Sequence, residues 1–175
     1  MLQIRERDLS AREILSISEH AVRIARKTGA RVMVNDRADV ARCAGGGVHL
    51  TTRSLPVEAV RGVFGTETMI GASTHNLEEA VAAENGGADF VVFGPVFETL
   101  SKRSYGPPVG VASLRAVARR VRIPVLALGG ITSSNFHETL EAGAAGIATI
   151  SWFARAADLE GVVQTIKSFG SKASK

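Results

Sequence analysis

The chain has 175 residues, of which 45% are hydrophobic and 22% charged, a balance typical of one globular domain rather than of a disordered chain. A single cysteine excludes an internal disulfide framework and a cysteine-based zinc site. The sequence has no run of the roughly 18 apolar residues that a membrane span needs, and its polar beginning shows no secretory signal. We therefore expect a cytoplasmic protein with no membrane partner.

The net charge is +4, from 21 Lys and Arg against 17 Asp and Glu. Proteins that bind nucleic acids cluster their basic residues and often interleave them with aromatic ones. Here the basic residues are dispersed and only 5% of all residues are aromatic, so we expect no nucleic acid partner. The charge favours an anionic small molecule as the ligand.

Short apolar segments alternate along the chain with longer amphipathic ones. Several of the apolar segments are hydrophobic almost throughout, which is typical of parallel strands covered by helices on both faces. The pattern predicts seven strands, at residues 2–5, 31–35, 47–50, 69–73, 90–96, 124–129 and 146–151. Strands and helices in this alternating order predict an α/β protein with a parallel sheet.

The ends of several helices are marked by local signals. Ser10 with Glu13, and Asn76 with Glu79, have the spacing of capping boxes. Three glycines are predicted to end helices in a left-handed turn: Gly29, Gly86 and Gly143.

A short helix is predicted over residues 37–43, with Asp36 as its candidate N-cap. Cys43 on this helix is expected to be a small buried side chain.

The choice between an open sheet and a barrel depends on where the polar and glycine-rich positions lie. No G-x-G-x-x-G motif follows the first strand, whereas Gly129 and Gly130 follow a late one. Polar residues also gather at the carboxyl ends of the predicted strands, where barrel active sites form. We predict a (β/α)8 TIM barrel with seven visible βα units that lacks its first strand.

The barrel is expected to be a single domain over residues 1–170, followed by a basic tail over residues 171–175. A barrel lacking one strand exposes strand edges, which favours self-association into a homo-oligomer.

Seven segments in one order carry a resemblance to a known family. They are Gln3-Ile-Arg5-Glu-Arg7, Val34-Asn35-Asp36-Arg37, Gly47-Val-His49-Leu50, Gly71-Ala-Ser73-Thr74-His75, Gly94-Pro95-Val-Phe97-Glu-Thr99, Leu128-Gly129-Gly130-Ile131 and Ala148-Thr-Ile150-Ser151. Together they resemble thiamine-phosphate synthases and the related thiazole tautomerases over nearly the whole chain. The resemblance implies a transferase of thiamine biosynthesis that couples hydroxymethylpyrimidine pyrophosphate to thiazole phosphate, with Mg²⁺ as cofactor, and releases pyrophosphate.

The resemblance also implies a role for each matching residue. The residues implied to bind the pyrimidine and its pyrophosphate are Gln3, Arg5, Arg7, Asn35 and Ser73. Asp36 is implied to bind the metal ion. The resemblance implies that a later loop contacts the substrates through Thr99, Ser101 and Lys102. It also implies that two late turns bind the thiazole phosphate through Gly130, Ile150 and Ser151. By the same resemblance, Arg5, Arg7 and Lys102 would supply the positive charge that the departing pyrophosphate needs.

Three positions depart from the family patterns. Arg7 stands where the synthases usually have lysine, and Ser54 stands where they have the aspartate that is the second Mg²⁺ ligand. Pro95 stands where the tautomerases have their histidine. Two alternatives therefore remain, a tautomerase-like isomerase and a non-catalytic binder of thiazole or thiamine phosphate. His49 and His75 are expected to be hydrogen-bonded structural residues.

Overall fold

A computed structural model describes residues 1–99 and 107–173 of the chain, with side chains as far as residue 169. The residues form two compact units, one of Met1–Ser73 with Ala83–Asp89 and the other of Thr74–Ala82 with Phe90–Lys175. The single domain over residues 1–170 stays a prediction.

Strands and helices alternate in the first part of the chain. The elements are β1 (Leu2–Ile4), α1 (Ala11–Ala25), β2 (Val32–Asn35), α2 (Ala38–Ala44), β3 (Gly47–Leu50), α3 (Val57–Phe64) and β4 (Ile70–Thr74). The strands pair in chain order and run parallel, with Asn35 opposite His49 and His49 opposite Gly71. This register places the carboxyl ends of β1 to β4 side by side.

The alternation continues in the rest of the described chain. The elements are α4 (Leu77–Asn85), β5 (Phe90–Phe93), α5 (Gly110–Arg120), β6 (Val125–Leu128), α6 (Phe136–Glu141), β7 (Gly146–Ala148), α7 (Ser151–Ala154) and α8 (Leu159–Ala173). β5, β6 and β7 also pair in chain order and in parallel, with Phe93 opposite Ala127 and Leu128 opposite Ala148.

Two inner strands, β3 and β5, are buried on both faces, as the continuous hydrophobic sequence of β5 predicts. Every residue of β3 and of β5 is buried. Helix α1 turns Ile14, Val22 and Ala25 inward, at a spacing that keeps them on one face of a helix. Burial of these apolar surfaces is the main stabilising contribution to the fold.

Two strands, β5 and β7, end three residues earlier than the sequence predicts. β5 stops at Phe93 because Pro95 has no N–H to continue the ladder, and the Gly94–Pro95 peptide bond is cis. β7 stops at Ala148, and Ser151 begins α7 instead of ending a strand. The Ala154 N–H donates to the Ile150 carbonyl at 2.9 Å, which is a helical bond.

Both predicted capping boxes form a side-chain cap. Ser10 accepts from the Glu13 N–H, and Glu13 reaches back to the Ser10 N–H at 2.8 Å. Asn76 accepts from the Glu79 N–H at 2.8 Å, but the Glu79 carboxylate turns to the Asn76 side-chain amide and to the His75 N–H.

Three local predictions are wrong. Helix α2 begins at Ala38 with Arg37 as its N-cap, so Asp36 is not the cap. Cys43 is exposed because the buried side of α2 is formed by other residues, among them Val40. The left-handed turn after α4 falls at Gly87 (φ 90°), one residue after Gly86.

The Arg61 side chain on α3 joins two backbone segments of the first unit, the loop before β4 and the loop before β5. Its guanidinium donates to the carbonyls of Gly65 at 2.6 Å, Thr68 at 2.8 Å and Gly87 at 2.7 Å. It also pairs with Asp89 at 2.7 Å, and the same Asp89 oxygen accepts the first N–H of β4 at 2.6 Å. One charged group therefore satisfies carbonyls on both sides of β4.

We expect Arg61→Ala to lower the free energy of unfolding by about 3 kcal/mol, because several carbonyls lose a charged donor. Arg61→Lys should recover little, since an ammonium group cannot reproduce the planar fork of donors. Urea unfolding followed by circular dichroism measures the change, with the exposed Arg12→Ala as control. Equal midpoints for Arg61→Ala and Arg12→Ala would contradict the assignment.

Candidate active site

The carboxyl ends of β1 and β2 bring two of the predicted site residues into contact. The Gln3 side-chain amide donates to the Asn35 side-chain oxygen at 3.0 Å. Gln3 lies in β1 and Asn35 is the last residue of β2, so the parallel pairing of these strands brings them together. Each amide fixes the orientation of the other.

Asp36 follows directly and has an uncommon backbone conformation. Its φ of 66° lies in the left-handed region, which Asp tolerates better than most residues do. Its N–H donates to the His49 carbonyl at 2.8 Å, which continues the β2–β3 ladder by one residue. The side chain is exposed, with its carboxylate beside the turn that follows β3.

That turn, residues 51–54, directs the Ser54 hydroxyl onto Asp36. The Ser54 hydroxyl donates to the Asp36 carboxylate, and it accepts the Thr51 N–H at 2.8 Å. A backbone bond from the Ser54 N–H to the Thr51 carbonyl at 3.0 Å closes the turn. The sequence analysis placed Ser54 and Asp36 at the two metal-ligand positions of the family, but it did not predict the hydrogen bond between them.

His49 lies one strand further along, with its side chain turned to β4. Its Nε2 is 2.8 Å from the Ser73 Oγ, and the residue is only 4% exposed. Burial, and secondarily the positive charge of Arg5, lowers the pKa of His49 from 6.5 to about 4. The ring is therefore neutral near pH 7. The register offered the signal for this contact, because positions 49, 71 and 73 share one face of neighbouring strands.

The cationic side chains of this unit differ in their partners. Arg37 is paired with Asp39 through two bonds of 2.9 and 2.6 Å, which raises the pKa of Arg37 and lowers that of Asp39. Arg5 and Arg7 are exposed, and no carboxylate of the described residues forms a salt bridge with either. Their charge is thus available to an anion.

His75, the other histidine predicted to be structural, is hydrogen-bonded. Its Nδ1 lies 3.1 Å from Glu79 on the next turn of chain. The prediction that His49 and His75 are hydrogen-bonded is confirmed.

In the second unit, the segment after Pro95 lies along the loop that follows β6. The Val96 N–H donates to the Leu128 carbonyl at 2.8 Å, and the Phe97 N–H donates to the Gly129 carbonyl at 3.1 Å. Thr99 comes two residues later and is half-buried. The predicted site residues Ser101 and Lys102 lie outside the described residues.

Gly130 is held in a left-handed conformation, with φ of 64°, against the same segment. A Cβ at this position would overlap the Glu98 carbonyl and lie 2.8 Å from the Phe97 Cβ. Asn135 fixes the loop from the other side, since its amide donates to the Gly130 carbonyl at 3.0 Å. Sequence reasoning missed Asn135, although an Asn shortly after Gly-Gly and before a helix signals such a bond.

The last two predicted residues lie at the start of α7. Ile150 is 69% exposed and precedes the helix, and Ser151 is its first residue. Trp152 of the same helix contacts Phe136, with ring centroids 5.6 Å apart. Ile150 and Ser151 are thus positioned by aromatic packing behind α7.

The described residues contain neither a preformed metal cluster nor a membrane-spanning helix. No group of three or more His, Cys, Asp or Glu side chains is arranged to hold a metal ion there. None of the helices in the described part of the chain has the length and apolar character for crossing a membrane.

These features define a class of parallel α/β proteins whose polar groups gather at the carboxyl ends of successive strands. A family model described as thiamine monophosphate synthase matches residues 1–153. The chain belongs to the thiamine monophosphate synthase family.

Individual relatives agree over most of the chain. It is 46% identical over 151 residues to a putative thiamine-phosphate synthase of Geobacter sulfurreducens, covering 86% of this chain and 71% of the relative. It is 40% identical over 167 residues to the thiamine-phosphate synthase of Chlorobium phaeobacteroides, covering 95% and 81%.

Among solved structures, the chain is similar to a thiamine phosphate pyrophosphorylase from Pyrococcus furiosus. The TM-score is 0.87 at 33% sequence identity, covering 98% of this chain and 82% of that one. The likeness confirms the predicted α/β fold class, with its seven strands in a TIM-like arrangement.

We expect burial of His49 to make stability depend on pH. Because the folded state lowers the pKa of His49 to about 4 from 6.5, the unfolded chain binds this proton first as pH falls. The contribution is complete above pH 6.5 and is lost between there and pH 4, by roughly 3 kcal/mol. Urea unfolding at a series of pH values measures it. His49→Gln should flatten this part of the profile and His20→Gln should not; identical profiles for both would contradict the prediction.

Gly130→Ala should lower the free energy of unfolding by about 2 kcal/mol, because the added methyl group strains a left-handed residue and overlaps the Glu98 carbonyl. The matched control is Gly62→Ala within α3, where a Cβ meets nothing within 4 Å. The control should be neutral or slightly stabilising, since Ala favours a helix. Thermal unfolding compares the two, and an unchanged Gly130→Ala midpoint contradicts the close approach.

Proposed function

We propose that this chain is a thiamine-phosphate synthase, which couples hydroxymethylpyrimidine pyrophosphate to thiazole phosphate. The bond between the pyrimidine methylene carbon and the pyrophosphate oxygen breaks, and the thiazole nitrogen bonds to that carbon, giving thiamine phosphate and pyrophosphate. The observation that carries the proposal, beside family membership, is the adjacency of Gln3, Asn35 and Asp36 at neighbouring strand ends.

The first unit supplies groups suited to the pyrimidine pyrophosphate. In this proposal Gln3 and Ser73 bind the pyrimidine, while Asn35 donates to the pyrophosphate. Arg5 and Arg7 stabilise the charge that grows on the leaving group as the carbon–oxygen bond breaks. The absence of salt bridges to these two arginines within the described residues supports the assignment.

The residues present fit a magnesium ion. Mg²⁺ is commonly held by one or two carboxylates together with substrate phosphates and waters. The exposed Asp36 carboxylate supplies one such ligand, and the neighbouring Ser54 hydroxyl adds a neutral oxygen. When bound, the ion would neutralise charge on the pyrophosphate.

The second unit supplies groups suited to the thiazole phosphate. In this proposal the backbone amides of Gly130, Ile150 and Ser151 bind that phosphate. Thr99 contacts the substrates, together with Ser101 and Lys102, and Lys102 adds positive charge. The hydrogen bond from the Phe97 N–H to the Gly129 carbonyl, two residues before Thr99, supports a common role for this segment and the Gly130 loop.

Each of two alternatives to the synthase function is favoured by one observation. A tautomerase-like isomerase is favoured by the sequence Phe97-Glu98-Thr99, but Pro95 cannot transfer a proton. A non-catalytic binder of thiazole or thiamine phosphate is favoured by Ser54, a neutral residue at the position where the synthases have their second Mg²⁺ ligand. A cytoplasmic location and a homo-oligomeric state remain part of the proposal.

The decisive experiment measures thiamine phosphate formed from the two phosphorylated substrates, with Mg²⁺ and with a chelator. Product that depends on Mg²⁺ supports the synthase. Isomerisation of the thiazole phosphate without coupling supports the tautomerase-like alternative. Calorimetric binding of thiazole phosphate without either reaction supports the non-catalytic binder, and overturns the synthase.

Ser54→Asp should raise synthase activity at limiting Mg²⁺ by about tenfold, because a second carboxylate beside Asp36 strengthens binding of a hard cation. Ser54→Asn, of similar size and without charge, should not. The midpoint of a Mg²⁺ titration measures the effect for both variants. If Ser54→Asp gains no more than Ser54→Asn does, Ser54 does not occupy the metal position.

A further inference from the structure

The buried His49 has no part of its own in the chemistry proposed above, although its side chain contacts Ser73. Nε2 of His49 and Oγ of Ser73 are 2.8 Å apart, and the histidine is 4% exposed while the serine is half-buried. A buried polar ring at this depth needs its hydrogen bond, so the contact is a fixed feature of the unit. Both residues belong to the first unit.

The backbone places this ring beside the other polar groups. His49 lies opposite Asn35 in the register of β2 and β3, and its carbonyl accepts the Asp36 N–H at 2.8 Å. On the other side it lies opposite Gly71, which has no side chain, so the ring reaches past it to Ser73. One residue thus connects the ends of three strands, through its backbone in one direction and its side chain in the other.

The ring is uncharged under ordinary conditions, since burial and the charge of Arg5 lower the pKa of His49 to about 4. A neutral imidazole can bond to a hydroxyl without adding to the positive charge of Arg5 and Arg7. A serine hydroxyl has one proton and two acceptor positions. When one of these is engaged by a rigid ring, the directions left for a ligand are fixed.

We propose that His49 is a positioning residue for the pyrimidine substrate: it holds the Ser73 hydroxyl in the orientation that binds the pyrimidine ring. The inference rests on the proposed function, in which Ser73 contacts that ring. Because the His49 ring contacts the Ser73 hydroxyl, the proposal assigns it an effect on the pyrimidine and none on the pyrophosphate group.

The test is a double-mutant cycle measured by calorimetry with hydroxymethylpyrimidine pyrophosphate. His49→Leu and Ser73→Ala should each weaken binding by about tenfold, as expected for one lost hydrogen bond. The double variant should bind no more weakly than either single one, because His49 acts through Ser73. Inorganic pyrophosphate should bind equally to wild type and to all three variants.

Two further variants make the test independent of how well His49→Leu folds. His49→Gln places an amide nitrogen near the former Nε2 position and should restore affinity to within about threefold of wild type. His49→Asn carries the same amide on a side chain one methylene shorter, so it should remain about tenfold weaker. A merely structural role would not separate these two amides.

The outcomes distinguish a failure of the proposed synthase function from a failure of the proposed role of His49. If wild type binds the pyrimidine pyrophosphate no better than inorganic pyrophosphate, the proposed function fails and the role of His49 fails with it. If wild type binds it better but His49→Leu and His49→Asn bind it equally well, only the role of His49 is overturned. Additive losses in the cycle overturn it as well.

Discussion

Parallel strand pairing determines which side chains of the first unit meet. Because β1 to β4 run in the same direction, their carboxyl ends form one edge, and a residue at the end of one strand faces its counterpart on the next. Asn35, His49 and Gly71 stand in one row of this register. The contacts from Gln3 to Asn35 and from His49 to Ser73 follow from that row, and a slip by one residue would turn each side chain to the opposite face.

Charge at this edge is distributed unevenly. The negative group, Asp36, is held by the neutral hydroxyl of Ser54 instead of by a cation. Arg5 and Arg7 have no salt bridge within the described part of the chain, while Arg37 is already paired with Asp39. An anion approaching this edge therefore meets two arginines that form no salt bridge within the described residues, and one carboxylate that accepts a hydrogen bond from Ser54.

The positions of the seven strands could be predicted from sequence because short apolar segments alternate with amphipathic ones, and because burial on both faces leaves a continuous hydrophobic segment in β5. The ends of the strands were harder to predict. Pro95 interrupts the hydrogen bonding of one strand pair, and Ser151 begins a helix through hydrogen bonds that no local sequence pattern encodes. The residues of the candidate site could be predicted from sequence motifs. The bond of Ser54 to Asp36 could not be, because it depends on how one turn folds against another strand end.

Gly130 has a consequence for motion in the second unit. Its carbonyl is held by Asn135, and a Cβ at this position would overlap the Glu98 carbonyl. Backbone hydrogen bonds from Val96 and Phe97 tie the same two segments together. We therefore expect the two loops to move together, so that a ligand that displaces one of them also displaces the other.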